Sequence, residues 1–389
     1  MTPDLSASVA GFVTLLASAL VVAIVAERIR IAPAVMLVAV GAVAAALFHV
    51  RLPFDFGPAV LFVFLPPLIF EAAWNIELRA LRPLLRRVAL LAFPGAVLCA
   101  AAVAGATWAF GGLVPPAALV LGAMLAATDP LPVVAVFRRL GAPAGVKALV
   151  EAESLTNDGV AVALYGIALT VAGGAASSVS LDVVYAVAGM LGGILVGAAC
   201  GAVGWAVLPT VEAPEYEVLA TVALAYGAYV IAVNLHCSGI FATASGAIAL
   251  RALLARRAHL ANRDDVDVFW NVCAAITNAV VFLAAGVTIE IPRAFHEPVL
   301  VLTAIAVVLV LRVALAALAG GTRADRILVF FAGMRGALTL ALALALPADV
   351  PQRAEIIDVV FATVLVTLVL QGAPLPALAR RLYPTPSSP

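Results

Sequence analysis

Charged side chains are scarce in this sequence of 389 residues: they make up 11% of it, whereas hydrophobic residues make up 65%. The mean hydropathy of +1.16 is far above that of a soluble domain of this size. The composition therefore excludes a soluble protein and indicates a polytopic membrane protein. Basic and acidic residues are balanced at 22 each, which argues against a nucleic-acid-binding protein.

Motifs for metal and nucleotide chemistry are also missing. No GxxxxGKS or GxxxxGKT stretch is present to bind ATP phosphates. The cysteines stand singly in apolar runs, without CxxC or Cys/His spacing, at Cys99, Cys200, Cys237 and Cys273. We interpret them as small core residues and expect no resident metal and no cofactor. Lysine is nearly absent while arginine and alanine are abundant, which is typical of a GC-rich bacterial genome.

What the sequence does contain is a series of apolar runs, each close to the roughly 20 residues that cross a bilayer. Charged and Pro/Gly breaks between these runs predict an all-α membrane protein with thirteen spans. The spans cover approximately residues 8–26, 32–50, 58–75, 88–110, 113–137, 146–171, 181–207, 215–235, 238–255, 267–289, 296–319, 326–346 and 355–379. The first run has full spanning length, so we expect a retained helix and not a cleaved signal peptide.

The positions of the basic residues predict the orientation of these spans. With the N-terminus outside, seventeen basic residues fall in loops on the inner side, and only Arg51, Arg293 and Arg353 fall in loops on the outer side. This distribution obeys the positive-inside rule. We expect a multi-pass protein of the bacterial cytoplasmic membrane with its C-terminus inside, where residues 380–389 form a short tail.

Few charged residues are left inside the predicted spans. The basic ones are Arg312 and Arg335, and the acidic ones that we place there are Glu71, Asp129, Glu153 and Asp158. At a rise of about 1.5 Å per residue, all six lie roughly 9–16 Å from the nearest cytoplasmic charge, which is the shared depth that a single site requires. The excess of carboxylates predicts that a cation or a proton visits the membrane interior.

The stretch "EAESLTNDGVAVALYG" places four of the polar residues on one side of a predicted helix. Glu153 and Asn157 are four residues apart, and so are Ser154 and Asp158. Residues at this spacing lie one above the other, so the two pairs form adjacent stripes. This helix face is a candidate binding surface.

The span before it, "AATDPLPVVAVF", is predicted to be broken. Pro130 and Pro132 each remove a backbone donor and free the carbonyl groups four residues earlier. A broken spanning helix is tolerated only where it is buried or lines a cavity. Hard cations prefer carboxylate, carbonyl and hydroxyl oxygens. The residues that supply such oxygens are Thr128, Asp129, Ser154, Asp158 and Glu71.

A second break is predicted in "FFAGMRGALTLALALALP", where Gly333 and Gly336 flank Arg335. Two sets of six spans run in opposite directions, approximately at residues 8–171 and 215–379, and the span at 181–207 joins them within a single transmembrane domain. Both breaks fall in the fifth span of their set. Interrupted helices at matching positions of inverted halves point to the binding site of a secondary transporter.

Structural readings of these residues remain open. Glu71 fits an interfacial carboxylate, Asp129 a cap on the second half of a broken helix, and Arg335 a cation that neutralises carbonyl ends at a crossover. For Glu153 and Arg312 we favour a structural ion pair, because a paired carboxylate is poorly placed to exchange protons. Asp158 is the residue least suited to a purely structural role, since no third basic residue within the spans remains to pair with it.

At this point the motifs "ATDP", "ESLTNDG", "FEAAWN" and "GMRGAL" resemble the monovalent cation:proton antiporters of the NhaP and sodium/proton-exchanger type. The resemblance covers essentially the whole chain. It implies an NhaA-like antiporter fold, a homodimer and a mobile core in which the two broken helices cross. The substrates would be Na⁺ or Li⁺, with K⁺ possible, and H⁺.

The resemblance also implies roles for individual residues. Asp158 would carry the cation and the proton, with Thr128, Ser154 and Glu71 completing the ion shell. Asp129 would organise the crossover, and Glu153 would pair with Arg312. Electrogenic relatives have a second aspartate where this chain has Asn157, so the resemblance implies one-for-one, electroneutral exchange.

These observations define a mechanism and two rivals. Burial without a partner disfavours a charged carboxylate, so Asp158 holds either a proton or a dehydrated cation, and the two exclude each other. An intramembrane aspartyl protease that uses Asp129 and Asp158 is one alternative, although the GxGD stretch expected of such enzymes is missing. A cation channel is the other. The sequence predicts a transporter and not an enzyme.

Overall fold

The protein is described by a computed structural model, in which the described residues are 5–29, 32–49, 60–130, 133–134, 137, 144–174, 179–210, 213–257, 263–288 and 297–383. Across these residues the secondary structure is helical, without strands. This agrees with the predicted all-α class. A bilayer offers the backbone no hydrogen-bonding partners, and a helix satisfies its own N–H and C=O groups.

The helices are numbered here in chain order. They are α1 (Leu5–Ile29), α2 (Pro33–Phe48), α3 (Leu65–Asn75), α4 (Leu78–Leu81), α5 (Leu85–Gly111), α6 (Pro115–Met124), α7 (Ala144–Ala172), α8 (Val179–Val207), α9 (Pro214–Asn234), α10 (Gly239–Arg257), α11 (Arg263–Thr288), α12 (Pro298–Leu318), α13 (Arg323–Phe331), α14 (Ala337–Leu344), α15 (Arg353–Thr367) and α16 (Leu375–Leu382). Short π-helical segments precede α3, at Val60–Phe64, and follow α15, at Leu368–Gly372.

Local sequence explains several of the helix starts. Proline occupies the beginning of α2, α6, α9 and α12, where its fixed φ suits the helix and its missing N–H costs nothing. Helix α13 begins differently, with a capping box in which Thr322 and Asp325 each accept a hydrogen bond from the other's backbone N–H.

Long apolar helices match the predicted spans in part. Among the described residues, eight helices are long and apolar enough to cross a membrane. Shorter apolar helices cover Pro33–Phe48, Leu61–Asn75, Pro115–Met124 and Gly239–Ala255. The polytopic helical architecture is therefore present, whereas the count of thirteen spans and the inverted repeats remain predictions.

The chain forms two compact units, each assembled from separate stretches of sequence. The first unit comprises Met1–Val60, Pro83–Ala175 and Asn278–Pro389, and the second comprises Leu61–Arg82 and Ala176–Thr277. In the first unit, α5 packs against α6, α7 and α12. The packing of α5 on α6 is close at Gly122, where a Cβ atom would lie 2.2 Å from the carbonyl oxygen of Ala100.

In the second unit, α8 and α10 pack through small residues. Gly193, Gly197 and Gly201 recur every fourth residue along α8, so they share one face. A Cβ atom on Gly197 would lie 2.0 Å from the carbonyl oxygen of Ala242 on α10. Spanning helices associate through such stripes because small residues let the backbones approach closely.

Candidate functional site

The first predicted break is present in the structure. Helix α6 ends at Met124, and residues 127–130 have no regular structure before helical residues recur at 133–134. The backbone N–H of Asp129 donates to the carbonyl oxygen of Met334, which is distant in the sequence, at 2.9 Å. Pro130 lies in this unwound stretch, as expected of a residue that has no backbone N–H to donate to a helical hydrogen bond. Pro132 lies outside the described residues.

The second predicted break separates α13 from α14, and its two glycines provide space. A Cβ atom on Gly333 would lie 2.1 Å from Nε of Arg312, and one on Gly336 would lie 1.9 Å from Oδ2 of Asp129. Gly336 has an extended backbone with a φ of −150°, so no left-handed conformation calls for glycine here. Close approach of charged side chains to the backbone is the reason for both glycines.

Arg335 and Asp129 connect the two breaks with charges of opposite sign. Nη1 of Arg335 donates to the carbonyl oxygens of Ala127, at 2.9 Å, and of Ala126, at 3.4 Å, just after the C-terminus of α6. Oδ2 of Asp129 accepts from the backbone N–H of Ala337, at 3.3 Å, at the N-terminus of α14. Each charge therefore lies at the helix end whose dipole attracts it.

Two polar residues that the sequence analysis did not select support the second break. Thr367 Oγ1 accepts from the backbone N–H of Arg335, at 3.1 Å, and Gln371 Nε2 donates to the carbonyl oxygen of Phe330, at 2.9 Å. Thr367 is the last residue of α15, and Gln371 lies in the π-helical segment that follows it. Their spacing of one helical turn was a signal that could have identified them.

The polar face of α7 contacts the unwound stretch directly. Ser154 Oγ donates to the carbonyl oxygen of Thr128, at 2.5 Å, and Asn157 Nδ2 donates to Thr128 Oγ1, at 2.8 Å. Ser154 and Asn157 are both buried. The structure therefore brings together Thr128, Ser154 and Asn157, which the sequence analysis placed in one candidate site.

Glu153 and Arg312 form a buried ion pair. Nη1 and Nη2 of Arg312 donate to Oε1 and Oε2 of Glu153, at 2.8 and 3.1 Å, which is a bidentate geometry. Nε of Arg312 donates to the carbonyl oxygen of Val329, at 3.1 Å. Asn157 Nδ2 also lies 3.3 Å from Oε1 of Glu153, so the pair borders the polar face of α7.

Asp158 differs from its neighbours. Its Oδ1 atom is shielded from solvent and has no hydrogen-bond partner among the described residues, while the residue as a whole is partly accessible. No basic side chain among the described residues lies within salt-bridge distance of it. Asp129 and Glu153 are near enough to repel its charge, and Arg335 is near enough to attract it. Asp158 thus has no fixed countercharge of its own in the described part of the chain.

Glu71 lies on α3 of the second unit. It is buried, and Asn75 Nδ2 donates to its Oε1 atom, at 2.6 Å, from one turn further along the helix. Membership of Glu71 in the ion shell remains a prediction.

The number of buried carboxylates predicted from the sequence was too low. Glu151 on α7 and Glu217 on α9 are also buried, with 4% and 1% of their surface exposed. Both lie near the start of a predicted span, where we had not placed a charge. Buried carboxylates are therefore not limited to the four residues selected from the sequence, and Glu151 has a basic neighbour, since Nζ of Lys147 lies 3.9 Å from its Oε1.

Cys99 has a further contact that its assignment as a small core residue did not predict. Its sulfur accepts from Nη2 of Arg335, at 3.2 Å. Across the described residues, no group of three or more His, Cys, Asp and Glu side chains is arranged to hold a metal ion. The oxygens of Thr128, Ser154 and Asp158 are of the kind that hard cations prefer as ligands.

Comparisons with known proteins agree with this geometry. The family model described as "Sodium/hydrogen exchanger, transmembrane" matches residues 16–381. The chain is 33% identical over 329 residues to the low-affinity Na⁺/H⁺ antiporter NhaS1 of Synechocystis, covering 80% of this chain and 62% of that one. It is 34% identical over 340 residues to the Na⁺/H⁺ antiporter ApNhaP of Aphanothece halophytica, covering 83% and 64%. The chain thus spans a little under two thirds of the length of these two relatives.

Two further matches cover most of both chains. The Na⁺/H⁺ antiporter NhaH of Halobacillus dabanensis is 32% identical over 342 residues, which is 84% of either chain. Among solved structures, the sodium proton antiporter MjNhaP1 from Methanocaldococcus jannaschii superimposes with a TM-score of 0.81. That match has 18% identity and covers 95% of this chain and 99% of the other, so it shows the shared fold.

Proposed function

The chain belongs to the sodium/hydrogen exchanger family, and from this premise we propose that it is a secondary active antiporter that exchanges Na⁺ for H⁺ across a membrane. The relatives described above carry the name of Na⁺/H⁺ antiporters, which supports this activity. A transporter of this kind uses an existing ion gradient, in keeping with the absence of an ATP-binding motif.

The observation that carries the proposal is the environment of Asp158. Its shielded Oδ1 atom lacks a hydrogen-bond partner within the described ranges. The residue lies on the same helix face as Ser154, beside a stretch of unwound backbone. A carboxylate in such a place is stable when neutralised. A proton or a bound Na⁺ can neutralise it, and one occupant excludes the other.

This competition couples cation movement to proton movement if Asp158 is accessible from one side of the membrane at a time, which is alternating access. The core changes its accessible side readily when Asp158 is neutral and poorly when it is bare and charged, because a charged carboxylate is costly to move through an apolar surrounding. Arg335 and Asp129 hold the two breaks together, so that the unwound backbone keeps its shape during the movement.

The ion shell proposed for Na⁺ consists of oxygens from Asp158, Thr128 and Ser154 of the first unit, with Asn157 and Asp129 as neighbours. Li⁺ and K⁺ accept the same ligand atoms and are further candidate substrates. We also propose one-for-one, electroneutral exchange. Asn157 is neutral and Glu153 is paired with Arg312, which leaves Asp158 as the charge that changes on this face of α7.

The proposed architecture is a homodimer in the bacterial cytoplasmic membrane, with thirteen spans and the N-terminus outside. Inverted repeats at residues 8–171 and 215–379 would be joined by the span at 181–207. The crossover supports the repeats, since its two breaks contribute matching contacts of opposite charge.

The test is Asp158→Asn in proteoliposomes that contain a trapped pH-sensitive dye. An added gradient of Li⁺, Na⁺ or K⁺ drives dequenching in the wild type and identifies the substrate ions. We expect Asp158→Asn to reduce cation-driven proton flux to the level of protein-free liposomes. Asp264→Asn is the matched control, because Asp264 is exposed at the start of α11 and should leave the flux unchanged.

The same assay separates the alternatives. Cation-driven proton flux that persists in Asp158→Asn rejects the assignment, and cation flux without any coupled proton movement favours a channel. The capping of α14 by Asp129 argues against an aspartyl protease, in which both carboxyl groups must be available for a substrate.

A further inference from the structure

A small polar cavity lies in the first unit between α5, α7, α12 and the two breaks. Its volume of about 10 Å³, measured as the space open to the centre of a water molecule, is at the lower limit for holding one water. The lining residues on which the argument depends are Ala96, Thr128, Glu153, Asn157, Arg312 and Arg335. Asp158 is not a lining residue, whereas Thr128 and Asn157 are, so the cavity adjoins the proposed cation position.

Two of the lining residues have a buried polar atom that has no hydrogen-bond partner in the described part of the chain. They are Asn157, through its amide oxygen Oδ1, and Arg335, through Nε. Both side chains are only 3% exposed. Asn157 uses Nδ2 to donate to Thr128 Oγ1 and Glu153, and this orientation leaves its oxygen as an acceptor in need of a donor. Nε–H of Arg335 is a donor in need of an acceptor.

A buried polar atom left unpaired costs about 1–3 kcal/mol, so two such atoms around one small cavity call for a common partner. The partner must both accept from Nε–H and donate to Oδ1, which a water molecule does and a bare ion does not. A cation is further disfavoured, because Arg312 and Arg335 outnumber Glu153, whose two oxygens are already bound to Arg312.

We propose that one water molecule occupies this cavity, accepts a hydrogen bond from Nε–H of Arg335 and donates one to Oδ1 of Asn157. The water connects the crossover to α7 at the residue that precedes Asp158. It therefore holds the Asn157 amide in the orientation that keeps Thr128 beside Ser154. The presence of the water does not depend on the proposed exchange activity, whereas its effect on transport does.

The first experiment is a crystal structure of the full chain at a resolution that resolves ordered waters, with a second data set from crystals grown in bromide. We expect one density peak within about 2.7–3.2 Å of both Nε and Oδ1. An empty cavity, a direct contact between Asn157 and Arg335, or an anomalous bromide peak at this position would overturn the proposal.

The second experiment fills the cavity. Ala96→Val adds two methyl groups to a lining residue on α5, and Ala92→Val adds the same two groups to a buried residue of α5 that does not line the cavity. We expect the peak to be absent in Ala96→Val and retained in Ala92→Val. The apparent KM for Na⁺ should rise about three- to tenfold in Ala96→Val alone, as expected for the loss of one bridging hydrogen bond.

A third experiment tests the proposal even if Ala96→Val folds poorly: it determines the structure of Asn157→Leu. This substitution removes the acceptor, so the peak at Nε of Arg335 should disappear or move. A peak that remains in place in both Ala96→Val and Asn157→Leu contradicts the assigned partners. Loss of the peak in Ala96→Val with an unchanged KM rejects the positioning role, and loss of flux in every protein including wild type would instead count against the exchange activity.

Discussion

At the scale of single residues, the charged groups of the first unit have unequal freedom. Glu153 is held by the two terminal nitrogens of one guanidinium, Asp129 caps a helix and Arg335 binds carbonyl oxygens. Asp158, in contrast, has no basic partner in the described part of the chain. Division of labour follows from this inequality. Under the proposed function, the fixed charges maintain the shape of the site and the carboxylate of Asp158 is the group that exchanges its occupant.

The ion pair can be tested by comparing single and double variants. Glu153→Gln leaves a guanidinium buried without its carboxylate, and we expect the free energy of unfolding to fall by about 3–5 kcal/mol. In Glu153→Gln/Arg312→Met both charges are gone, so most of that loss should be recovered, apart from the hydrogen bond to Val329. Unfolding of the purified protein by SDS measures both values. A double variant no more stable than the single one would contradict a structural pair.

Single residues were also where sequence reasoning reached furthest and where it failed. Few charges fall inside apolar spans, so the four-residue spacing of Ser154 and Asp158 was informative by itself. Glu151 and Glu217 were missed because each lies near the predicted start of a span, where a carboxylate is expected to reach solvent. Helix packing decides burial at such positions, and one sequence does not reveal the packing.

At the scale of elements, the two breaks depend on residues distant in the chain. Prolines and glycines predicted where α6 ends and where α13 gives way to α14. They did not predict that Thr367 and Gln371 satisfy the freed backbone groups, because nothing in the sequence states which helices are neighbours. The depth predicted from the sequence put the charged residues at one level of the membrane. Which of them are in contact could be read only from the structure.

A substitution at the second break tests the space that Gly336 provides. In Gly336→Ala the new Cβ atom would lie 1.9 Å from Oδ2 of Asp129, so the cap on α14 must move. We expect the free energy of unfolding to fall by about 1–3 kcal/mol and cation-driven flux to fall with it.

Gly105→Ala is the matched control, because a Cβ atom at this position on α5 has no neighbour within 4 Å. That variant should be neutral or more stable by up to about 1 kcal/mol. Equal behaviour of the two alanine variants would contradict the close approach of Asp129 to the backbone.

A second prediction at this scale concerns the threonines of α15. Thr367→Val removes the acceptor for the backbone N–H of Arg335, and the buried donor left behind should lower the free energy of unfolding by about 1–3 kcal/mol.

Thr363→Val is the control one turn earlier, since Thr363 is buried and its Oγ1 atom has no partner among the described residues. It should cost nothing or stabilise the protein. Unfolding in SDS, together with sodium-driven flux, measures both variants. A Thr363→Val variant as damaging as Thr367→Val would show that the hydrogen bond to Arg335 is not the cause.

At the scale of the whole molecule, the C-terminal helix is tied to the helix that enters the second break. The Tyr383 hydroxyl, just beyond α16, donates to the Asp325 carboxylate at the start of α13. Burial and the adjacent Asp325 raise the pKa of Tyr383 to about 12. Burial acts to raise the pKa of Asp325 as well, but hydrogen bonds from Tyr383 and Thr322 bring it below its ordinary value.

The signs of these shifts define the pH range of the contact. The raised pKa of Tyr383 stabilises the fold fully below its ordinary pKa of about 10, and this stabilisation is lost as pH rises through about 12. The lowered pKa of Asp325 stabilises the fold above its ordinary pKa of about 3.9, and this stabilisation is lost as pH falls through the lowered value. The contact is therefore complete at every pH near neutrality.

Tyr383→Phe tests this conclusion. We expect a loss of about 1 kcal/mol of unfolding free energy, because the groups are partly exposed and screened by solvent. The difference from wild type should be the same at pH 6, 7 and 8, and the midpoint of the pH profile of transport should not move. Thermal unfolding at these pH values provides the measurement. A difference that varies between pH 6 and 8 would identify the contact as a pH sensor.

The crossover of Asp129 and Arg335 also has a direction. Each charge faces a helix end of opposite polarity, so interchanging the two residues would preserve net charge and composition while placing both against ends that repel them. A pair of substitutions that keeps the net charge unchanged can therefore still destabilise the protein at these two positions. A protein with these two charges interchanged would also need the N-terminal and C-terminal helix ends interchanged at the crossover. The direction in which the chain runs there therefore decides which of the two positions is acidic and which is basic.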